Sequence, residues 1–293
     1  MRNLLIILSL FIEFSCEPKP KVATIPSRDP GSNADSEDAP VYNPDLIEIE
    51  GQSNGAGSAP IADLPADLTG PMHGVNVYNH NTQRWETLEP NVNNRGTTGL
   101  SGKGAVDGLT GEFGIECRLM KLIRAFRGRD QYLIKYCISN TPLAQAGSYT
   151  DWSPRATKEL FARTNENVRK AIQGLADKRP PRLIIWFQGE NDANNRAMAA
   201  AYQTNLEAFI AGKRAAYGYD IPFIIIRLGD NQRKLSSSAD VIAAQNAVGA
   251  QRNNYLVSAD GCPTRDDIHY NADGIEEIAQ RVYKVLIKHN HLD

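Results

Sequence analysis

With 293 residues, of which 41% are hydrophobic, the chain is long enough to bury a large core, which excludes disorder over its whole length. The 32 basic and 34 acidic side chains leave a formal net charge of -2, so no field of one sign dominates. That balance gives no indication of a nucleic-acid partner and favours a neutral or weakly charged ligand.

Residues 1–16 have the pattern of an export signal. A positively charged start is followed at residues 4–12 by an apolar run that is too short to be a stable membrane span. Ser15 and Cys16 resemble the end of a bacterial lipobox, which predicts lipidation of Cys16 and attachment to a membrane. Ordinary cleavage nearby, with Cys16 removed, is the alternative. Either reading predicts an exported protein, which is periplasmic, bound to the outer membrane or secreted.

Residues 17–40 are rich in Pro, Ser, Asp and Lys and contain almost no large apolar side chains. Such a segment cannot bury enough surface to offset the entropy of ordering it, so we expect a disordered tether. Residues 41–293 then form one folded domain, which we expect to be a monomer because no long apolar surface helix stands out.

Three cysteines remain in the folded part, Cys117, Cys137 and Cys262. An odd number leaves at least one thiol unpaired within the chain. A disulfide between Cys117 and Cys137 and three buried free thiols are both compatible with the sequence. No spacing of cysteines or histidines indicates a metal site.

Short β-type runs alternate with longer helical patterns along the domain, which is typical of βα units around a parallel sheet. The predicted strands are residues 46–50, 132–137, 183–187, 223–227 and 255–258. The predicted helices are residues 113–126, 156–176, 197–216, 239–252 and 272–288. Together they predict an α/β fold, a three-layer α/β/α sandwich with a five-stranded parallel sheet. Residues 59–109 read as an elaborated loop region with room for a small hairpin at 75–78 and 84–85.

In open parallel sheets, ligands bind beyond the carboxyl ends of the strands, so the polar residues there are the candidates for a site. Ser53 follows the first predicted strand in the sequence Gly-Gln-Ser-Asn-Gly. Small residues allow a tight turn that exposes the hydroxyl and leaves backbone N–H groups free for an oxyanion. A serine in such a turn is more often structural than nucleophilic, so this motif alone decides nothing.

Two further polar segments follow predicted strands. Residues 188–192, Gln-Gly-Glu-Asn-Asp, offer an amide donor for an oxyanion, although Asn191 or Asp192 could instead cap a helix. In the segment before the last predicted helix, Asp266 precedes His269 by three residues, a spacing with which a compact turn can place a carboxylate against an imidazole. Asp267 is the alternative carboxylate. The other four histidines lie in the loop region and the tail, where we expect exposed structural roles.

The three segments together resemble the SGNH-hydrolase superfamily, and within it the branch of sialate O-acetylesterases and acetylxylan esterases. The resemblance extends from about residue 46 to the C-terminus. It implies a flavodoxin-like sandwich and a catalytic triad of Ser53, Asp266 and His269. It also implies a serine esterase that removes O-acetyl groups from carbohydrate through an acyl-enzyme and needs no metal or organic cofactor.

The resemblance further implies an oxyanion hole. We assign it to the backbone N–H groups of Ser53 and Gly114, with Gly111 as an alternative glycine, and to a side-chain amide. The general superfamily pattern assigns that amide to Asn191, whereas the acetylesterase branch favours Gln188, which we prefer. The residues expected to support these groups are Gln52, Asn54, Glu190 and Asp192.

An acetylated carbohydrate is therefore the expected partner, and acetylated xylan, O-acetylated sialic acid and related glycans all remain candidates. Trp85 could stack on a sugar ring or be packed in the fold. Two other functions compete with this hypothesis. One is an esterase or lipase acting on a non-carbohydrate ester, and the other is a carbohydrate-binding protein with an inactive site.

Overall fold

A computed structural model describes residues 45–95, 111–147, 150–155, 160–176 and 178–292. The strands are β1 (Asp45–Gly51), β2 (Ala59–Pro60), β3 (Val75–Asn79), β4 (Arg84–Thr87), β5 (Glu112–Phe113), β6 (Gln131–Cys137), β7 (Leu183–Phe187), β8 (Phe223–Arg227) and β9 (Asn254–Ser258). The α-helices are α1 (Ser53–Ala56), α2 (Ile115–Arg127), α3 (Leu160–Gln173), α4 (Glu190–Ala193), α5 (Arg196–Tyr217), α6 (Ser238–Gly249) and α7 (Ala272–Lys288). The predicted signal and tether, residues 96–109 of the predicted loop region, and the first residues of the second predicted helix, at 156–159, lie outside the described residues.

Within the described residues the main sheet has seven strands in the order β4-β3-β6-β1-β7-β8-β9. Every neighbouring pair is parallel except β3 and β4, which pair antiparallel. The predicted α/β sandwich is confirmed, and each of the five predicted strands is present within one or two residues. The predicted number of strands was too small, because the hairpin β3–β4 extends the sheet.

The hairpin joins the sheet because one face of β3 is apolar. Val75 and Val77 are buried and lie opposite Gln131 and Leu133 of β6 in a parallel register. Residues two positions apart lie on the same face of a strand, so the apolar face of β3 packs against the core at the edge of the sheet. Trp85 of β4 donates from Nε1 to the carbonyl oxygen of Ala171 in α3, at 3.1 Å. It therefore packs in the fold and does not line the pocket described below.

The two faces of the sheet are covered by different helices, as expected for a parallel sheet. Ile47 and Ile49 of β1 belong to an apolar cluster with α2 and α7, whereas Leu46 faces the cluster that contains α3, α5 and α6. Side chains two residues apart share a face, so Glu48 and Glu50 also point towards the second cluster.

This second face contains a buried ionic cluster. Lys213 of α5 is fully buried and lies 3.2 Å from a carboxylate oxygen of Glu48, and it also contacts Glu50. Tyr217 donates to Glu48. Burial, reinforced by the neighbouring charge of Glu48, raises the pKa of Glu50 well above its ordinary value. The cluster thus lies at the centre of the sheet, and its Glu50 carboxyl group is harder to ionise than an exposed one.

The ends of the predicted helices shift where other contacts compete. Helix α2 begins at Ile115 and not at residue 113, since Phe113 pairs with Ala59 in a short two-stranded sheet and Gly114 is extended. Asn195 caps α5 by accepting from two backbone N–H groups, so neither Asn191 nor Asp192 caps that helix.

Cys117, Cys137 and Cys262 are all buried and free, which excludes the disulfide between Cys117 and Cys137 in this structure. Burial raises the pKa of the Cys262 thiol to about 11 and raises those of the other two thiols as well. None of the helices in the described ranges is long and apolar enough to cross a membrane.

Candidate active site

The three polar segments meet at the carboxyl edge of the sheet. Strand β1 ends at Gly51, which is adjacent to the end of β7 at Phe187 in the parallel register. Gly51 has a φ of 149°, and a Cβ there would lie 2.0 Å from the carbonyl oxygen of Phe187. Only glycine fits, because the chain passes over the end of β7 before it turns into α1. This close approach places Ser53 above the sheet at the first residue of α1.

Ser53, His269 and Asp266 form one hydrogen-bonded line. The Nδ1 atom of His269 lies 2.8 Å from Oδ2 of Asp266, and Nε2 lies 3.1 Å from Oγ of Ser53. A carboxylate accepts only, so Nδ1 carries the proton and Nε2 accepts from the Ser53 hydroxyl. The structure therefore brings together the three side chains that the sequence predicted to act together, with an imidazole in the tautomer that a general base needs.

Asp266 is held by its own turn. Its Oδ1 atom accepts from the backbone N–H groups of Ile268 and His269, at 3.1 and 2.7 Å. Partial burial opposes ionisation of Asp266, but the hydrogen bonds from His269 outweigh it and lower the carboxyl pKa below its ordinary value. The alternative, Asp267, has a φ of 65° and accepts instead from Arg233 at 2.7 Å. The geometry thus separates the two neighbouring carboxylates.

The loop that carries His269 is tied to the serine turn by Asn54. Asn54 Nδ2 donates to Glu190 and, at 3.1 Å, to the carbonyl oxygen of Ile268, and its Oδ1 accepts from the N–H of Tyr270 at 3.2 Å. Gln232 donates to the same Ile268 carbonyl at 2.7 Å. The residues on both sides of His269 are therefore fixed by the residue that follows Ser53.

Glu190 and Asp192 are buried and anchor this arrangement from below. Burial raises the pKa of both carboxyl groups, although the hydrogen bonds that each accepts act in the opposite direction. Asp192 accepts from the N–H groups of Leu143 and Ala144, at 2.8 and 3.0 Å, and thereby fixes the loop after β6. Both carboxylates thus accept hydrogen bonds from segments that surround the pocket.

Gln188 lies deeper than expected for a side chain that meets a substrate. It is fully buried, and the two hydrogens of its Nε2 are engaged by Asp192 at 2.7 Å and by Thr141 O at 3.1 Å, while Gln52 Oε1 lies 3.3 Å from the same nitrogen. Tyr202 donates to its Oε1 at 3.0 Å. Both ends of the amide are thus engaged within the fold, which differs from the predicted oxyanion role of Gln188.

Asn191, the alternative amide, does line the pocket, but its Nδ2 donates to Oδ1 of Asn140 at 2.8 Å. Its backbone N–H donates to Oε1 of Gln52 at 3.3 Å. In this structure the side chains of the two asparagines are hydrogen-bonded to each other at the exposed rim of the pocket.

Neither predicted glycine presents a free N–H group. Gly114 donates to Oε1 of Glu116 at 3.0 Å, and Gly111 donates to Asn91 at 2.8 Å. Glu116 is fully buried and forms an ion pair with Lys135 at 2.7 Å. In this structure a buried carboxylate thus already accepts the hydrogen bond from Gly114, and its oxyanion role stays a prediction.

Lys135 connects this ion pair to the serine turn. Its Nζ atom donates to the carbonyl oxygen of Ala56, at the end of α1, and to that of Asn94, at 2.9 and 3.1 Å. Asn94 in turn donates from its side chain to Glu116 at 2.9 Å. The pair thus joins α1, the start of α2 and the segment that leads to the pocket wall.

Ser53 and His269 line a cavity of about 380 Å³, and the charged residues in its wall were not predicted from the sequence. Arg265 donates to Glu112 at 3.0 Å, and Arg95 lies 3.4 Å from the other oxygen of Glu112. Two guanidinium groups thus share one carboxylate, so these three side chains together have a formal charge of +1. The three residues come from distant parts of the sequence, so no local motif could reveal them.

The remaining histidines give one correction. His80 was expected to be exposed, yet it is 7% exposed and lies between the rings of Tyr78 and Tyr136. Its Nε2 donates to the carbonyl oxygen of Lys135 at 3.0 Å. Burial lowers the pKa of His80 to about 4. Among the described residues, no group of three or more His, Cys, Asp or Glu side chains could hold a metal ion.

Solved structures share this fold. A crystal structure of a protein from Arabidopsis thaliana is 16% identical, with a TM-score of 0.67, over 84% of this chain and 98% of that one. The structure of NanS is 12% identical, with a TM-score of 0.60, over 86% of this chain and 100% of that one. XAC1771, a carbohydrate acetylesterase from Xanthomonas citri, is 18% identical, with a TM-score of 0.57, over 83% of this chain and 55% of that one. At these identities the similarity concerns the fold.

A comparison with curated protein sequences gives no match. The family model described as "Carbohydrate esterase, sialic acid-specific acetylesterase" matches residues 44–288, which is most of the chain and contains all three polar segments. This confirms the resemblance that the sequence motifs indicated. The chain therefore belongs to the family of sialic acid-specific acetylesterases and is a carbohydrate acetylesterase, a carboxylic ester hydrolase.

Proposed function

We propose that Ser53, His269 and Asp266 carry out the ester hydrolysis. The observation that supports this most strongly is the continuous hydrogen bonding from Asp266 through His269 to Ser53 Oγ. Ser53 attacks the acetyl carbonyl while His269 takes its proton, and His269 then protonates the departing sugar oxygen. Water hydrolyses the acetyl-enzyme in the reverse sense and releases acetate. Asp266 keeps the imidazole in the required tautomer throughout.

The oxyanion that forms in each step needs hydrogen-bond donors that are already in place. Ser53 begins α1, so its own N–H group has no acceptor four residues earlier within the helix and remains available. This supports the proposal that the Ser53 N–H is one of the donors. Gly114 and Gln188 could serve as further donors only by giving up hydrogen bonds that they make within the fold.

We further propose that the preferred substrate is an O-acetylated sugar that carries a carboxylate, as sialic acid does. Arg95 and Arg265 line the cavity beside Ser53, and Glu112 neutralises only one of their two charges. Guanidinium groups recognise carboxylates through paired, charge-assisted hydrogen bonds. A neutral acetylated xylan cannot use that charge. The small net charge of the whole chain therefore says little about the local field at the pocket.

The test is acetate release from O-acetylsialic acid, acetylated xylan and a small aryl acetate, with wild type and Ser53→Ala compared on each. We expect the wild type to release acetate and Ser53→Ala to release none above background. Arg265→Met should raise KM for O-acetylsialic acid about 10-fold to 100-fold, the cost of one charge-assisted hydrogen bond, and leave the aryl acetate unaffected. Arg233→Met, which removes an exposed arginine outside the pocket, is the matched control. Equal losses on all three substrates with Arg265→Met would contradict the carboxylate proposal.

We also propose that the protein is exported and anchored by a lipid on Cys16. The support is the charged start and short apolar run of residues 1–16, followed by a tether at 17–40 that would give the domain reach. Cell fractionation tests this directly, because Cys16→Ser should move the protein from the membrane fraction to the soluble exported fraction. An unchanged distribution would favour ordinary cleavage of the signal.

A further inference from the structure

One buried amide at the pocket keeps a donor that no described residue uses. Gln52 immediately precedes Ser53, lines the same cavity and is only 3% exposed. Its backbone N–H donates to the carbonyl oxygen of Phe187 at 3.1 Å, which fixes the main chain at the end of β7. Its side chain is therefore held at the base of the pocket, next to the serine.

The orientation of the Gln52 amide follows from its neighbours. Its Oε1 atom faces Nε2 of Gln188 and the backbone N–H of Asn191, each at 3.3 Å. A backbone N–H can only donate. Gln188 is itself oriented by Asp192 and by the Thr141 carbonyl, which can only accept from its Nε2. The Gln52 atom that faces the Asn191 N–H is therefore the oxygen.

The Nε2 group of Gln52 is left without an acceptor among the described residues. Because Gln52 lines the cavity beside Ser53, this amide donor is available to a group bound there. Here the fold uses Gln188, Tyr202 and Asp192 to hold the Gln52 oxygen in place. The same arrangement leaves the N–H2 end directed away from those partners.

We propose that Gln52 Nε2 is the side-chain donor of the oxyanion hole, a role that rests on the proposed function of Ser53. When Ser53 Oγ bonds to the acetyl carbon, the π electrons of the carbonyl move to its oxygen, and the serine proton passes to His269. The new negative charge accepts from Gln52 Nε2. When the sugar oxygen leaves, it takes the proton from His269 and the carbonyl is restored. Gln188 is then a positioning residue.

This assignment explains two other features of the pocket. Gln188 can be fully buried because it acts on Gln52 and not on the substrate. The side chain of Asn191 can hydrogen-bond to Asn140 at the rim, because Asn191 contributes to the site through its backbone N–H. That N–H orients the Gln52 amide. A donor satisfied only by the oxyanion stabilises the transition state more than the bound ester, which raises kcat with little effect on KM.

The experiment measures kcat and KM for release of acetate by the full chain carrying Gln52→Glu or Gln52→Met. The first variant replaces the donor by an acceptor of the same shape, and the second keeps the length without a donor. We expect kcat to fall about 10²-fold to 10³-fold in both, with KM changed less than about 3-fold. Gln203→Met, which changes an exposed glutamine of α5 outside the pocket, is the matched control, and its kcat should stay within about 2-fold of wild type. Asn191→Ala tests the other pocket amide, and we expect a smaller loss of kcat than in the Gln52 variants.

Thermal unfolding of each variant checks that the fold is intact, and Gln52→Met decides the question if Gln52→Glu does not fold. Retention of kcat within about 3-fold in a folded Gln52 variant, while Ser53→Ala is inactive, would overturn the role of Gln52 and leave the proposed function standing. A larger loss in Asn191→Ala than in both Gln52 variants would assign the donor to Asn191. If wild type releases no acetate, the proposed function fails and the inference fails with it.

Discussion

The side chains that we propose to react and the side chains that hold them differ sharply in burial. His269 and Asp266 keep 27% and 42% of their side-chain surface exposed, and their hydrogen bonds lie within one short loop or reach the serine. Asn54 and Glu190 are at most 1% exposed and connect the serine turn, the end of β7 and the histidine loop. The exposed set should therefore determine rate alone, whereas the buried set should determine both rate and stability.

The strongest test of this difference is loss of the base. His269→Gln removes the group that takes the serine proton, and in related triads such a change costs on the order of 10⁶-fold in kcat. Because the ring is partly exposed, we expect the melting temperature to shift by no more than about 2 °C. Acetate release and calorimetry measure the two effects, and a large fall in melting temperature would break the comparison.

The next test separates two adjacent carboxylates. Asp266→Asn changes the hydrogen bond that sets the tautomer of His269, and we expect kcat to fall about 10³-fold to 10⁴-fold. Asp267→Asn loses a surface ion pair with Arg233 and should leave kcat within about 2-fold. Matched steady-state kinetics decide the assignment, and equal losses in the two variants would contradict it.

A buried support should behave differently. Asn54→Ala removes both donors to Glu190 and Ile268 and the acceptor for Tyr270 N–H, so buried polar groups lose their partners. We expect unfolding free energy to fall by about 3 kcal/mol and kcat to fall together with it. Asn195→Ala, at the exposed start of α5, removes a helix cap and should cost about 1 kcal/mol without loss of activity. A rate loss in Asn54→Ala at unchanged stability would contradict the comparison.

The smallest effect concerns a buried group outside the pocket. The pKa of His80 is about 4 in the folded chain, below the ordinary imidazole value of about 6.5, so the unfolded chain takes up a proton first as the pH falls. The free energy of unfolding should therefore decrease as the pH falls from 6.5 to 4, and His80 alone should account for about 3 kcal/mol of that decrease. Urea unfolding at several pH values measures it. In His80→Gln that part of the loss should disappear while kcat at pH 7 is retained, and an unchanged pH dependence would contradict the role of His80.

Much of the fold could be predicted because its signals are local. The runs at residues 183–187 and 223–227 are continuous apolar segments, as buried parallel strands require, and both form strands at those positions. The hairpin β3–β4 was foreseen only as a small hairpin, because its place in the sheet depends on pairing with β6, more than fifty residues further on. Such long-range pairing leaves no signature in the hairpin itself.

The site shows the same limit. The positions of Ser53 and His269 follow from short motifs that each occupy one turn, and the structure brings them together. The engagement of Gln188 by Asp192 and Tyr202 was not foreseen, since a motif identifies an amide but not which of its atoms faces a pocket. Charges at Arg95, Glu112 and Arg265 come from three separate segments and were missed for the same reason.

The buried pair of Lys135 and Glu116 limits how this pocket can change over evolutionary time. Replacing either partner alone leaves an unpaired charge in the interior. This lowers the free energy of unfolding by about 3–5 kcal/mol, which is a large part of the stability of a typical domain. Replacing both residues by neutral ones would be tolerated more easily than replacing only one of them. Homologues should therefore exchange the two positions together or not at all, and directed evolution that samples single substitutions should leave both residues unchanged.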